Sequence, residues 1–339
     1  MPAVILLNLG GPTRLSEVRP FLKSLFSDRR IIALPGGRFA QPAFAELISR
    51  ARAGRVADRY RLIGGGSPLR RLTEEQGTAL KAELARIGCG SVRVETAMRY
   101  TQPDAASALS RLLEAGERRV VALPLYPQEC DATTGSSLAE LERARESVAP
   151  EIDILTIRSW HLHPGYIDAL ASRVEETLDR LSNEERAEAV LLFSAHSIPE
   201  SLAGRGDPYV GQIRETVGAV LDRLGGGRAW RLGFQSRSGP VRWVGPGTDE
   251  LIRHDLKGAR AVVVVPISFV SDHIETLYEI DLLFGRFARE AGIRRFVRCE
   301  SLNASPLFIR ALAEIVEPVL SGGISMTRAS RSSREDLSQ

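Results

Sequence analysis

Apolar residues along this chain come in short blocks, and two spacings alternate. Ala3-Val4-Ile5-Leu6-Leu7, Val120-Val121-Ala122-Leu123, Ala189-Val190-Leu191-Leu192-Phe193 and Ala261-Val262-Val263-Val264-Val265 are unbroken runs, as strands buried on both faces show. Between them, apolar positions recur at helical spacing over 73–87, 104–115, 136–148, 165–182, 208–224 and 305–319. The first of these opens Thr73-Glu74-Glu75-Gln76, a capping-box pattern that predicts a helix start there.

The pattern is stated twice. Ala3 to Pro12 resembles Ala189 to Pro199; VRVETAMRYTQP from Val92 resembles WRLGFQSRSGP from Trp230; RVVALPLYP from Arg119 resembles AVVVVPISF from Ala261; IDILTI from Ile152 is matched more loosely by RFVRC from Arg295. Strand and helix alternating through both halves predict an α/β chain of two similar Rossmann-like, doubly wound parallel sheets. The expected division is 1–153 and 154–302, with a helix near 303–320. An insert over 27–70 lengthens the first half, and a tail over 321–339, rich in Ser and Arg, is expected to be disordered. Ile63-Gly64-Gly65-Gly66-Ser67-Pro68 in the insert invites a phosphate-loop reading. No Gly-Lys-Ser/Thr follows it, and no G-x-G-x-x-G opens a helix after a strand, so a turn over a cleft is the better reading.

Composition narrows the classes. The 339 residues are 43% apolar, enough for a sizeable core, and the net charge is only +3. Of 45 basic residues only Lys23, Lys81 and Lys257 are lysine, and no basic stripe interleaves with aromatics, so no nucleic-acid partner is expected. Three scattered cysteines, Cys89, Cys130 and Cys299, do not make a disulfide framework, which fits a reducing compartment. The apolar run Ala3–Leu7 is too short for a secretory signal, and no run nears the ~20 residues of a spanning helix. The expected location is the cytoplasm.

In open parallel sheets, ligands bind beyond the carboxyl ends of the strands. His196 follows the strand from Ala189; Asp272, His273 and Glu275 follow the strand from Ala261; Arg99-Tyr100 and Gln235-Ser236-Arg237 end two more. An imidazole, a carboxylate cluster and two guanidiniums are thus brought to one rim. Asp272, Glu275 and Glu279, spaced i, i+3, i+7, form a stripe on an α-helix. Asp272 and Glu275 alone also read as a capping box; Glu279 is what that reading leaves over. Imidazole with carboxylate suits Fe(II), Zn(II) or Co(II), and so few ligands fit a transfer site better than a closed structural one. Arg99 and Arg237 are candidate clamps for substrate carboxylates. His161 and His163 rank as accessory, and without a G-x-S-x-G elbow the serines near His196 do not make a hydrolase.

LLNLGGPTRLSEVRPFL, IGGGSPL, LYPQECDATTGSS, LLFSAHSIPESLAGRGDPY, FQSRSGPVRWVGPGTDE, PISFVSDHIETLYEID and ESLNASPLF together resemble the ferrochelatase family over about residues 3 to 320. The resemblance implies two Rossmann-like domains around a porphyrin cleft and insertion of Fe(II) into protoporphyrin IX, giving protohaem with release of two protons, the last step of haem biosynthesis. It makes His196 in FSAHSIP the catalytic histidine and Glu275 in SDHIETLYE its partner carboxylate, together the iron site. Asp272, His273 and Glu279 match neighbours on a proton or metal path. Arg99, Tyr100, Tyr126 and Trp243 match positions that line or flank the porphyrin. Some members continue the acidic row where this chain has Leu283, and some carry a [2Fe–2S] cluster on four cysteines. Three cysteines, none after Cys299, cannot supply that set, so no resident cofactor is expected and Fe(II) is substrate.

The competing readings are a coproporphyrin III ferrochelatase, a chelatase for another metal and tetrapyrrole, and a non-catalytic haem or metal binder. Leu25, Phe26, Ile31, Ile32 and Leu34 suggest a greasy lip and peripheral association with a membrane.

Overall fold

The computed structural model describes residues 3–31, 37–237, 239 and 241–322. Within them the strands make two four-stranded sheets, parallel throughout. The first holds β1 (Ala3–Asn8), β2 (Val94–Met98), β3 (Arg119–Pro124) and β4 (Asp153–Thr156) in the order β2-β1-β3-β4. The second holds β5 (Ala189–His196), β6 (Trp230–Gln235), β7 (Ala261–Pro266) and β8 (Arg295–Arg298) in the order β6-β5-β7-β8. One topology therefore occurs twice, strand for strand with the sequence matches. The first sheet continues to Thr156, so the link to the second begins a few residues past the expected division.

Both central strands of each sheet are apolar because helices cover both faces. Ala3–Asn8 and Ala261–Pro266 are buried at every position. Each fully buried valine of β7 contributes about 1.5–3 kcal/mol relative to exposure. α3 (Leu69–Arg86), α4 (Pro164–Leu178) and the helices Tyr209–Arg223 and Pro306–Leu320 enclose one core that runs from Val4 and Leu6 through Phe308 and Leu312 to Leu191 and Phe193. The helix Pro306–Leu320 packs against α3 and α4 and touches β3.

α3 begins four residues earlier than the capping-box pattern predicts. Ser67 and Pro68 start it, with Leu69 N–H donating to Ser67 Oγ. Thr73 lies inside the helix, where its hydroxyl donates to Leu69 O (2.8 Å) and accepts from Asn8 Nδ2 at the end of β1 (3.0 Å). The glycines at 64–66 form a turn, not a phosphate cradle. Gly64 and Gly65 have φ of 99° and 90°, and a Cβ at Gly66 would lie 2.2 Å from Thr13 O.

The insert forms α2 (Gly37–Arg61), which packs on α1 (Val18–Ser27), the helix just before it, around Phe21, Leu22, Phe26, Ala45 and Tyr60. Phe26 is buried in this cluster and Leu25 and Ile31 are half-buried, so they do not make an open apolar lip. On α2 the large apolar side chains that stand exposed are Phe39 (90%), Leu47 (65%) and Phe44 (38%). Ile32 and Leu34 lie outside the described residues, as does the tail from residue 323. No helix among the described residues is long and apolar enough to cross a membrane.

Candidate active site at the carboxyl ends of β5 and β7

Strand order reverses between β5 and β7, the place where open α/β sheets leave a crevice. β5 ends in His196. Its backbone is fixed on both sides: His196 N–H donates to Ser268 Oγ (3.0 Å) and Tyr209 Oη donates to His196 O (3.0 Å). After β7 the chain turns through 267–274 into a π-helix, Glu275–Phe284. A π-helix takes more residues per turn than an α-helix, so residues four apart share a face. Thr276, Ile280 and Phe284 fill the buried side, and Glu275 and Glu279 fall together on another.

His196 Nδ1 lies 2.8 Å from Glu275 Oε2. An ionised carboxylate only accepts, so Nδ1 carries the hydrogen and Nε2 presents the lone pair. Burial by itself lowers the basicity of this ring, but the Glu275 carboxylate outweighs it and, with a lesser push from Glu279, holds the histidine above its ordinary pKa. Glu275 is held below the usual carboxylate range: burial opposes its charge, but His196, His273 and the Ser236 hydroxyl favour it more. Glu279 goes the other way, raised by burial first and then by the Glu275 charge.

The stripe expected of Asp272, Glu275 and Glu279 does not form, because the segment is not α-helical and Asp272 precedes it. Asp272 neither caps the helix nor faces Glu275. Its Oδ1 accepts from Arg298 (3.0 Å), Ser301 (2.8 Å) and Thr276 (3.1 Å), and its Oδ2 from Asn303 (2.9 Å). Glu279 is equally occupied: Ser236 N–H donates to Oε1 (2.9 Å), while Ser236 Oγ (2.5 Å) and Gln235 Nε2 (3.3 Å) reach Oε2. Both are pinned carboxylates, ill suited to hand on an ion. His273 Nδ1 donates to Ser271 O (3.0 Å), and its ring stacks at a tilt on Phe269, 4.7 Å between centroids. Burial lowers its pKa despite the carboxylates nearby. Among the described residues, no three His, Cys, Asp or Glu side chains come together as a ready metal cage.

The expected substrate clamps are also already partnered. Arg237 Nη2 is bonded to Asp249 and Glu250, 2.9 Å each. Arg99 donates to Asp28 Oδ2 (2.7 Å) and Ser136 Oγ (2.8 Å), and Tyr100, 8% exposed, donates its hydroxyl to the same Asp28 oxygen (2.8 Å). Tyr126, after β3, has its hydroxyl 3.3 Å from Ser137 Oγ. Trp243 bridges Pro199 in an antiparallel pair, which sets it beside the loop that follows His196. His161 bonds Glu215 on the surface (2.7 Å).

Four residues matter here to which the sequence reading assigned no role at the site. Asp28 gathers Arg99, Tyr100 and Ser136. Ser236 and Gln235 hold Glu279, and buried Gln76 of α3 donates across to Ser271 Oγ (2.9 Å) and Asn303 O (2.8 Å), tying the first half to the turn that carries Asp272. Gln235 and Ser236 end a strand at the right edge, a signal sufficient to nominate them. Gln76 and Asp28 give no such signal, since their partners lie far off in the chain.

A model of the ferrochelatase family matches residues 1–320. The ferrochelatase of Geotalea uraniireducens is 47% identical over 94% of this chain and 98% of its own length, and that of Picosynechococcus is 45% identical over 92% and 81%. The chain belongs to the ferrochelatase family. It is thus a lyase of the porphyrin metal chelatase class. The fold extends beyond close relatives of this ferrochelatase: SirB from Bacillus subtilis superposes with a TM-score of 0.52 at 13% identity, over 74% of this chain and 90% of its own. A multi-domain chelatase-like protein from Deinococcus radiodurans does so at 0.52 and 15%, over 96% of this chain and 55% of its own.

Proposed function

We propose that this ferrochelatase inserts Fe(II) into protoporphyrin IX at His196 and Glu275, releasing two protons and forming protohaem. One observation carries the assignment. At the crevice between β5 and β7, His196 Nε2 and Glu275 Oε1 make no hydrogen bond to the described protein, while every oxygen of Asp272 and Glu279 is engaged. A nitrogen lone pair and one carboxylate oxygen are suitable donors for Fe(II) and too few to hold it for good. Fe(II) enters as substrate between them, with Glu275 offsetting its charge. As the ion passes to the ring nitrogens, Nε2 is released, and its raised basicity suits it to take a pyrrole proton. A flat porphyrin keeps its nitrogens in the ring plane, so the cleft must bend it, at about 1–5 kcal/mol drawn from contacts elsewhere on the ring.

A second acceptor has one observation in its favour. A cavity of about 630 Å³ is lined by Arg29, Arg30, Arg158 and Arg205 with Glu129, Asp131 and Asp207. Arg30 pairs with Asp131 and Arg158 with Glu129, but among the described residues no carboxylate pairs with Arg29 or Arg205. Arg29 follows Asp28, which holds Arg99, and the 205–208 loop leads into Tyr209, which holds His196. Two open guanidiniums there would suit the two further carboxylates of coproporphyrin III. Anaerobic insertion assays with each porphyrin decide the acceptor: a higher kcat/KM for protoporphyrin IX is expected. Preference for coproporphyrin III that disappears in Arg29→Ala/Arg205→Ala reverses the choice, and capture of porphyrin without turnover makes the protein a binder.

We place the enzyme in the cytoplasm, docked on a membrane through α2. Phe39, Phe44 and Leu47 form an apolar tip, with exposed Arg55 further along the helix to meet anionic headgroups. Phe39→Ser/Leu47→Ser is expected to cut co-sedimentation with anionic liposomes several-fold without changing insertion into detergent-dispersed porphyrin. Equal co-sedimentation of variant and wild type rules this surface out.

A further inference from the structure

Ser236 is the first residue after β6, and its φ of 67° lies in the left-handed region. Glycine adopts that conformation freely; a serine keeps it only where its surroundings hold it. Here the surroundings are two carboxylates from the π-helix. The Ser236 N–H donates to Glu279 Oε1 (2.9 Å), and its single hydroxyl proton is shared between Oε2 of both acids, 2.5 Å from Glu279 and 3.1 Å from Glu275. A glycine at this position would keep the first bond and lose the shared one.

The consequence lies in Glu275. Its Oε2 has two fixed partners, His196 Nδ1 at 2.8 Å and Ser236 Oγ at 3.1 Å, approaching from β5 and β6. A carboxylate held twice through one oxygen cannot turn about its last side-chain bond without losing both contacts. Its other oxygen, Oε1, is thereby presented in one orientation with no protein donor on it. Glu279 has no such free oxygen, because Ser236 and Gln235 occupy both. We propose that Ser236 is a positioning residue for metal capture: its hydroxyl orients Glu275 so that Oε1 is the oxygen offered to Fe(II), and it immobilises Glu279 behind. This rests on the assignment of His196 and Glu275 as the iron site.

A residue acting in this way affects capture of the ion more than binding of the ring. Ser236→Gly is the clean variant, since it keeps the backbone N–H, suits the left-handed conformation and removes only the hydroxymethyl group that carries the donor. We expect its KM for Fe(II) to rise about tenfold, the effect of one hydrogen bond to a charged group. The KM for porphyrin and the kcat at saturating iron should stay near wild type, and the affinity for Zn(II), titrated without porphyrin, should fall by a similar factor. Ser236→Asn tolerates the same backbone and restores a donor, so it should recover part of the iron KM; it also decides the matter if the glycine variant fails to fold. An unchanged iron KM and Zn(II) affinity in Ser236→Gly, or equal rises in both substrates' KM, overturns the proposal. Full activity in Glu275→Ala overturns instead the site on which it rests.

Discussion

Glu275→Ala and His196→Ala are each expected to lower Fe(II) insertion by about two to four orders of magnitude while porphyrin affinity stays within a few-fold of wild type. The two side chains come from positions 79 residues apart and meet at 2.8 Å, so either loss leaves the other without its partner. Removing Glu275 takes away the charge that offsets the incoming ion and the acceptor that keeps the proton of His196 on Nδ1. Removing His196 takes away the open Nε2 lone pair and the hydrogen bond from Nδ1 to Glu275. Neither change disturbs the core, since both side chains stand at the crevice, the imidazole 39% exposed and the carboxylate 22%. pH dependence separates the roles. His196 is held above its ordinary pKa, so Nε2 is protonated below that raised value and insertion falls as pH drops through it. In Glu275→Gln the carboxylate that raises the ring is gone, and the residual activity should lose its acid limb to lower pH. A limb that stays in place would mean that another group accepts the proton.

The strands, and the arrival of His196 and a carboxylate cluster at one rim, were legible because parallel sheets make simple demands; the choice of Glu275 within that cluster came from the family resemblance. Both faces are buried, so the runs at Ala3 and Ala261 are apolar without alternation, and the carboxyl edge is the only edge where functional groups collect. Spacing fails where a side chain is claimed by a distant partner. Thr73 reads as a cap, but Asn8 needs its hydroxyl from inside the helix. Asp272 reads as the head of an acidic stripe, but Arg298, Ser301 and Asn303 converge on it from beyond β8. Arg99 and Arg237 read as open clamps because a linear pattern does not show that Asp28, Asp249 and Glu250 already satisfy them. The π-helix was not read from spacing, although Glu275 and Glu279, four apart, share a face in it as they would on an α-helix, and both reach Ser236 there.

Asp272 is a structural hub, and the residue that makes it tolerable is Arg298. The guanidinium is 11% exposed; Nη1 reaches Asp272 (3.0 Å), while Nε and Nη2 grip Asp281 at 2.8 and 2.9 Å. Arg298→Met is expected to destabilise the fold by about 3 kcal/mol, the lower end for breaking a buried pair, because Thr276, Ser301 and Asn303 still donate to the stranded carboxylate. The effect depends on pH with a definite sign. Burial opposes ionisation of Asp272, but Arg298 and the three donors outweigh it and depress its pKa in the folded state. A depressed carboxylate stabilises above its unfolded value, about 3.9, and loses that stabilisation as pH falls through the folded value. Without Arg298 the depression shrinks, so urea midpoints of variant and wild type should differ most at neutral pH and converge below about pH 4. Replacing both partners, Arg298→Met with Asp272→Asn, should recover part of the loss, since no charge is then left buried without its partner. A single variant within about 0.5 kcal/mol of wild type at neutral pH would place this pair among surface ion pairs and leave the turn before Glu275 held by its neutral donors alone.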